Sequence, residues 1–218
     1  MTAIDAAGQC ERLRTDISRV LLGQEAAVDQ VIIALLAGGH VLLEGVPGLG
    51  KTLLVRALAG CFSGNYRRIQ FTPDLMPADI TGHAIYNMAE GSFHVRRGPV
   101  FTHLLLADEV NRAPAKTQAA LLEVMQEGQV TIEGEALVIE PPFMVLATQN
   151  PIEQEGTYPL PEAQLDRFLM KVLIDYPTAE VERQVATQVT AGDTERNIPA
   201  AGAPGGLTPA DVVALRAL

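Results

Sequence analysis

The segment that most constrains the fold is residues 45–52, which reads Gly-Val-Pro-Gly-Leu-Gly-Lys-Thr. It follows a short apolar run, residues 40–44, and precedes a stretch of helical composition, residues 51–61. Glycines at these spacings let consecutive backbone N–H groups turn inward around an anion, and the positive end of the following helix adds to the attraction. The pattern G-x-x-x-x-G-K-[ST] between a strand and a helix therefore predicts a loop that binds the phosphates of a nucleotide.

Two side chains at the end of this loop have predicted roles. Lys51 is placed to reach the β- and γ-phosphates, and Thr52 is placed to supply one oxygen to Mg²⁺. The alternative is a glycine-rich turn that matches by chance, and the strand–loop–helix context weighs against it. Nucleotide contacts are expected from Gly45, Pro47, Gly48, Leu49, Gly50, Lys51, Thr52 and Leu53.

Apolar strands alternate with helical segments along the chain. The predicted strands are residues 40–44, 68–71, 103–107, 143–148 and 172–174, and the main predicted helices are residues 13–22, 27–36, 51–61, 114–127 and 178–190. Strands that are apolar throughout are typical of parallel sheets covered on both faces. We therefore expect a three-layer α/β sandwich with a mainly parallel sheet. Two predicted hairpins, residues 84–95 and 129–140, interrupt that plan as insertions. The second pairs residues 129–132 with residues 137–140 and turns near Gly134.

Two adjacent carboxylates, Asp108 and Glu109, end the apolar strand at residues 103–107. Asp108 at the strand tip is suited to accept a hydrogen bond from a water on Mg²⁺. Glu109 points elsewhere and could polarise an attacking water as general base. On its own the pair is more simply interpreted as a solvated strand end, but behind a phosphate loop it favours a hydrolase.

Asn150 and Arg167 are further candidates with open alternatives. Asn150 closes the next buried strand, where an amide could orient the attacking water; it could equally cap the turn before Pro151. Arg167 lies in a short predicted helix, residues 161–168, and could stabilise γ-phosphate charge from a neighbouring subunit. From the residues alone, a surface pairing of Arg167 with Asp166 or Glu162 is the favoured alternative.

Composition narrows the remaining classes of protein. The formal net charge is −10, and basic residues cluster only at Arg67-Arg68 and Arg96-Arg97, which argues against a broad nucleic-acid surface. The two cysteines and four histidines show no disulfide or metal-ligand spacing. Neither a signal peptide nor an apolar run long enough to span a membrane occurs, so we expect a soluble cytoplasmic protein.

Four segments in a fixed order make the chain resemble the MoxR family of AAA+ ATPases. They are residues 41–52, 71–82 (Phe-Thr-Pro-Asp-Leu-Met-Pro-Ala-Asp-Ile-Thr-Gly), 108–113 (Asp-Glu-Val-Asn-Arg-Ala) and 147–161 (Ala-Thr-Gln-Asn-Pro-Ile-Glu-Gln-Glu-Gly-Thr-Tyr-Pro-Leu-Pro). The resemblance spans about residues 22–176. The second segment is the most discriminating of the four, because generic AAA+ proteins lack it.

The resemblance to the MoxR family implies features that the residues alone do not establish. It implies a ring, usually a hexamer, that binds ATP and Mg²⁺ between subunits, with Asn150 as first sensor and Arg167 as the finger acting on the neighbour's nucleotide. Gly23 and Gln24 match the region beside the adenine. The hairpins would face the pore or a client. Family members work with proteins that carry von Willebrand factor A domains, which implies a chaperone-like ATPase that remodels or helps mature a partner.

The carboxyl-terminal part departs from the family pattern. Residues 1–177 are assigned to the nucleotide-binding core, and residues 178–218 to a helix, an Ala/Gly/Pro-rich linker at residues 191–206 and the start of a helical lid. Because the last predicted helix, residues 212–218, is cut off as it starts, we expect the chain to be a fragment with a truncated lid. Two other functions stay open at this stage, a nucleotide-gated scaffold that hydrolyses slowly and a nucleic-acid motor.

Overall fold

The computed structural model describes residues 3–152, 156–199 and 206–217. The helices are α1 (Ala3–Val20), α2 (Glu25–Ala37), α3 (Lys51–Gly60), α4 (Pro77–Thr81), α5 (Ala115–Glu127), α6 (Glu162–Leu165), α7 (Ala179–Ala191), α8 (Asp193–Asn197) and α9 (Pro209–Arg216), with a 3-10 turn at Val110–Arg112. The strands are β1 (Val41–Glu44), β2 (Tyr66–Gln70), β3 (Gly82–Asn87), β4 (Ser92–Arg97), β5 (Leu104–Asp108), β6 (Gln129–Ile132), β7 (Glu135–Val138), β8 (Met144–Gln149) and β9 (Met170–Leu173).

Five of these strands form one sheet in the order β2-β5-β8-β1-β9, and every pairing in it is parallel. Successive side chains of a strand point to opposite faces. In β5, Leu104 and Leu106 pack into a core with α1, α2 and α3, while Leu105 and Ala107 pack into a second core with α5. The sheet is therefore covered on both faces, which confirms the predicted three-layer α/β sandwich.

A buried histidine ties three elements of this sandwich together. His40 Nδ1 accepts a hydrogen bond from the backbone N–H of Val145 on β8 at 2.9 Å. Its Nε2 donates to the carbonyl of Met125 on α5 at 3.1 Å. This pairing needs the neutral ring, and burial lowers the pKa of His40 below its usual value of 6.5. His40 is a structural residue.

Two antiparallel hairpins, β3–β4 and β6–β7, stand outside the sheet as predicted. The second strand of the second hairpin was misplaced, since residues 137–140 were predicted and β7 runs over Glu135–Val138. Glu133 and Gly134 both have positive φ, so a two-residue turn closes the hairpin and pairs Ile132 with Glu135. The prediction was wrong because Gly134 alone did not reveal how tight the turn is.

The carboxyl-terminal region is more helical than predicted. The segment at residues 191–206 was predicted to be a linker, yet α8 (Asp193–Asn197) begins directly after Gly192; the part of that segment at residues 200–205 lies outside the described residues. The residues of α8 are polar and show no apolar periodicity, so the sequence did not predict a helix there. Farther on, Leu207 pairs with Phe62, and Val212 and Leu215 of α9 join the core that holds α2. No helix within the described residues is long and apolar enough to cross a membrane.

Candidate functional site

Polar side chains gather where β1, β5 and β8 end, because the carboxyl ends of parallel strands share one edge of the sheet. A cavity of about 530 Å³ lies at this edge and is called the strand-end cavity below. Its lining consists of Pro47, Gly48, Gly50, Lys51, Thr52, Leu53, Arg56, Arg68, Gln70, Asp108, Glu109, Thr148, Gln149 and Asn150. The predicted phosphate loop thus faces the predicted acidic pair across one cavity.

The glycines of the loop serve two different purposes. Gly48 and Gly50 have φ values of +87° and +86°, in the left-handed region that favours glycine, and Gly50 lies directly before α3. A Cβ on Gly45 would instead lie 2.5 Å from the carbonyl oxygen of Ile174, so glycine there allows the loop to pass close to the end of β9. Gly45 itself lies outside the strand-end cavity.

The Lys51 ammonium is held inside the loop. Its Nζ donates to the carbonyl oxygens of Gly45 and Val46, the latter at 3.2 Å. Burial lowers the pKa of Lys51, and the nearby carboxylates of Asp108, Glu109 and Glu44 oppose that shift. A partly desolvated ammonium attracts an anion more strongly than a fully hydrated one.

Asp108 is buried at the end of β5, and both of its carboxylate oxygens have partners. Oδ1 accepts from Thr148 Oγ1 at 2.6 Å, and Oδ2 accepts from Arg68 Nη2 at 2.6 Å. Thr148 is fully buried, and its hydroxyl oxygen also accepts the backbone N–H of Glu109 at 2.8 Å. One threonine on β8 therefore fixes the position of both acidic residues.

Glu109 has a left-handed backbone conformation, with a φ of +56° that is unusual for a residue other than glycine. The carboxylate oxygen Oε2 accepts from Gln70 Nε2 at 2.9 Å and lies 3.2 Å from Arg112 Nε. Backbone strain of this kind is commonly found at functional sites, where the surrounding contacts maintain it.

Thr52 and Asp108 line the same cavity, so a hydroxyl and a carboxylate are available together for a metal ion. Mg²⁺ prefers such hard oxygen donors and completes its shell with water and phosphate oxygens. No cluster of three or more His, Cys, Asp or Glu side chains that could hold a metal ion occurs among the described residues. The donor set present fits Mg²⁺ bound together with a nucleotide.

Asn150 and Arg167 are placed differently. Asn150 lines the strand-end cavity, and its Oδ1 also accepts from the backbone N–H of Ile152 at 3.2 Å. The amide therefore both faces the cavity, as a water-orienting residue would, and caps the turn, so both predicted roles are compatible with its position. Arg167 is exposed after α6 and does not line the cavity of its own chain. Within the described part of the chain, Arg167 makes no ion pair with Asp166 or Glu162.

A second, mostly apolar cavity of about 200 Å³ lies beside the loop and is called the apolar cavity below. Its lining consists of Val20, Leu21, Leu22, Gln24, Gly48, Leu49, Gly50, Leu53, Pro177, Val185, Gln188, Val189 and Thr194. Gln24 Nε2 donates to the carbonyl of Asp175 at 2.8 Å, and the neighbouring Gly23 packs against Val181 of α7. Because Gly48, Gly50 and Leu53 line both cavities, the two cavities adjoin the same loop.

Several lining residues were missed from the sequence, namely Arg56, Arg68, Gln70, Thr148 and Gln149. Gln70 could have been found, because it lies near the end of the strand predicted at residues 68–71, at the same sheet edge as Asp108. The contacts of Arg68 and Thr148 depend on the registers of β2 and β8 against β5, which local patterns do not reveal. Both registers bring residues about forty positions apart into contact.

Comparison with known proteins agrees with this geometry. The model of the ATPase family associated with various cellular activities (AAA) matches residues 40–170. The fold, the phosphate loop and the facing acidic pair define an AAA+ domain of the P-loop class. Sequence similarity then narrows the class: the chain is 54% identical over 175 residues to the chaperone MoxR1 of Mycobacterium tuberculosis, covering 80% of this chain and 46% of that protein. The chain belongs to the MoxR family of AAA+ ATPases.

Two other similar proteins support the same family assignment. The protein MoxR of Methylorubrum extorquens is 36% identical over 198 residues, with 88% of this chain and 56% of that protein covered. A solved structure of a predicted ATPase from Cytophaga hutchinsonii superposes with a TM-score of 0.84 at 46% identity, covering 98% of this chain and 63% of that chain. The chain spans about half the length of the curated relatives it matches.

Proposed function

We propose that this chain binds ATP with Mg²⁺ in the strand-end cavity and hydrolyses it. The observation that carries the proposal is that the phosphate loop and the Asp108–Glu109 pair line one cavity. Lys51 and the backbone N–H groups of the loop hold the β- and γ-phosphates. Thr52 ligates the metal, and Asp108 accepts a hydrogen bond from a water on it.

Glu109 takes the proton of the attacking water. Its carboxylate is held by Gln70 and Arg112, and its backbone by Thr148, so the base is positioned before substrate arrives. Asn150 orients the same water from the tip of β8. A bound Mg²⁺ would supply positive charge beside the phosphate oxygens.

The adenine ring fits the apolar cavity. Leu49 and Leu53 offer apolar surface to a flat ring, and the cavity adjoins the phosphate loop. Gln24, one of the two residues matched to this region, lines the cavity, while Gly23 lies behind it against α7. ATP would then wrap around the loop, with its base on one side and its triphosphate on the other.

At the level of the assembly, we propose a ring, most simply a hexamer, in which each nucleotide lies between subunits. Exposed Arg167 then acts on the neighbour's γ-phosphate rather than on its own. The relative named chaperone MoxR1 supports a role in remodelling or maturing a partner protein, and a protein with a von Willebrand factor A domain is the client we propose.

Substitution of Glu109 tests the catalytic assignment. The Glu109→Gln variant should bind Mg·ATP as the wild type does but hydrolyse it about a hundredfold more slowly, the usual scale for loss of a general base. Glu123→Gln, an exposed change on α5, is the matched control and should retain full turnover. Undiminished turnover in Glu109→Gln would remove Glu109 from the mechanism and favour a nucleotide-gated scaffold instead.

A further inference from the structure

Both oxygens of the Asp108 carboxylate are already engaged by protein groups. Oδ1 accepts from Thr148 Oγ1 at 2.6 Å. Oδ2 accepts from two nitrogens of the Arg68 guanidinium, Nη2 at 2.6 Å and Nε at 3.2 Å. A metal-bound water that donates to Asp108 must therefore share or displace one of these two partners.

The two partners differ in how easily they can move. Thr148 is fully buried, and its hydroxyl also accepts the backbone N–H of Glu109, so moving it breaks two hydrogen bonds. The Arg68 side chain is half exposed and extends from the edge strand β2. Since a guanidinium next to solvent can turn away into water, Oδ2 is the oxygen at which exchange is easiest.

A second contact shows that the Arg68 guanidinium is held in a defined position. Nη2 also donates to Gln70 Oε1 at 2.8 Å, and the amide nitrogen of Gln70 donates to Glu109. The planar guanidinium is thus shared between two acceptors, which orients it toward Asp108. Arg67, the preceding residue on β2, lines a different cavity and provides a comparison within the same strand.

We propose that the Arg68 guanidinium and a metal-bound water compete for Oδ2 of Asp108, so that Arg68 sets the affinity of the nucleotide complex for its metal. The guanidinium and the hydrated metal ion both carry positive charge, so the carboxylate oxygen binds the hydrated metal more weakly while Arg68 remains in place. Arg68 is accordingly a positioning residue that acts through Asp108. The inference rests on the proposed function, because it takes Asp108 to be the acceptor for a metal-bound water.

Metal titration of the ADP complex tests this competition without measuring turnover. Mg²⁺ is titrated into the protein saturated with a fluorescent ADP analogue, and the half-saturating concentration of Mg²⁺ is read from the change in fluorescence. Arg68→Met removes the charge but keeps an aliphatic stem, and Arg67→Met is the matched control. The half-saturating concentration should fall about two- to fivefold in Arg68→Met, since a half-exposed ion pair contributes up to about 1 kcal/mol and about 1.4 kcal/mol equals one factor of ten.

The outcomes separate the inference from the proposed function. A lower half-saturating concentration in Arg68→Met, with Arg67→Met unchanged, supports the competition. An unchanged or higher value in Arg68→Met, or an equal fall in both variants, overturns it. Failure of the wild type to bind the analogue at any Mg²⁺ concentration would instead contradict the proposed function. Melting curves of every variant check folding, and Arg68→Gln replaces Arg68→Met if the latter does not fold.

Discussion

Thr148 offers a test of how the acidic pair is held. Its hydroxyl donates to Asp108 at 2.6 Å and accepts from the Glu109 N–H at 2.8 Å in a fully buried position. Thr148→Val keeps the shape of the side chain but removes both hydrogen bonds. A hydrogen bond to a charged group contributes about 1.5–3 kcal/mol, and a buried N–H left without a partner costs about 1–3 kcal/mol. Because the hydrogen bond from the Glu109 N–H is only partly buried, the lower values apply, and together they predict a loss of about 3 kcal/mol in the free energy of unfolding.

Thr148→Ser is the matched control, because it keeps the hydroxyl and loses one methyl group, which is worth about 1 kcal/mol. Urea unfolding at pH 7 measures both variants. The valine variant should also melt about 6–12 °C lower than the wild type, since each kcal/mol shifts the melting temperature by roughly 2–4 °C at this size. If Thr148→Val proves as stable as Thr148→Ser, the hydroxyl does not hold the acidic pair and the reasoning is refuted.

Two further predictions concern other parts of the molecule. Because burial lowers the pKa of His40, the unfolded chain binds a proton first as the pH falls; the free energy of unfolding should therefore decrease below about pH 6.5. Urea unfolding between pH 7.5 and 5.5 should show a weaker decrease in His40→Asn, and equal slopes would argue against this role. Arg167→Ala should lower hydrolysis only in assembled protein, and mixing it with Lys51→Ala subunits should partly restore activity. Absence of any rescue would count against action between subunits.

Much of the fold was predictable because its signals are local. Residues 104–107 are apolar at every position, and such a run is typical of a strand covered on both faces. The motif at residues 45–52 predicted a strand before the loop and a helix after it. The topological rule for parallel strands then predicted that Asp108 and Asn150 would approach the loop, and both line the strand-end cavity.

The features that were missed depend on long-range register or on backbone geometry. The pairing of Arg68 with Asp108 requires β2 to align with β5 so that Gln70 lies beside Asp108, and no local pattern encodes that alignment. The start of β7 depends on the left-handed conformation of Glu133, which glutamate rarely adopts. The roles assigned to Asn150 and Arg167 stay predictions, as does the boundary at residue 177.

Calorimetric titration of Mg·ATP tests the central claim most directly. Glu109→Gln is the background, because slow turnover keeps the nucleotide intact during the measurement. We predict saturable binding at one site per chain, abolished when Lys51→Ala is added, since the ammonium provides a charged contact to the phosphates. Equal affinity with and without Lys51, or no binding heat in either protein, would contradict the assignment of the loop as the triphosphate site.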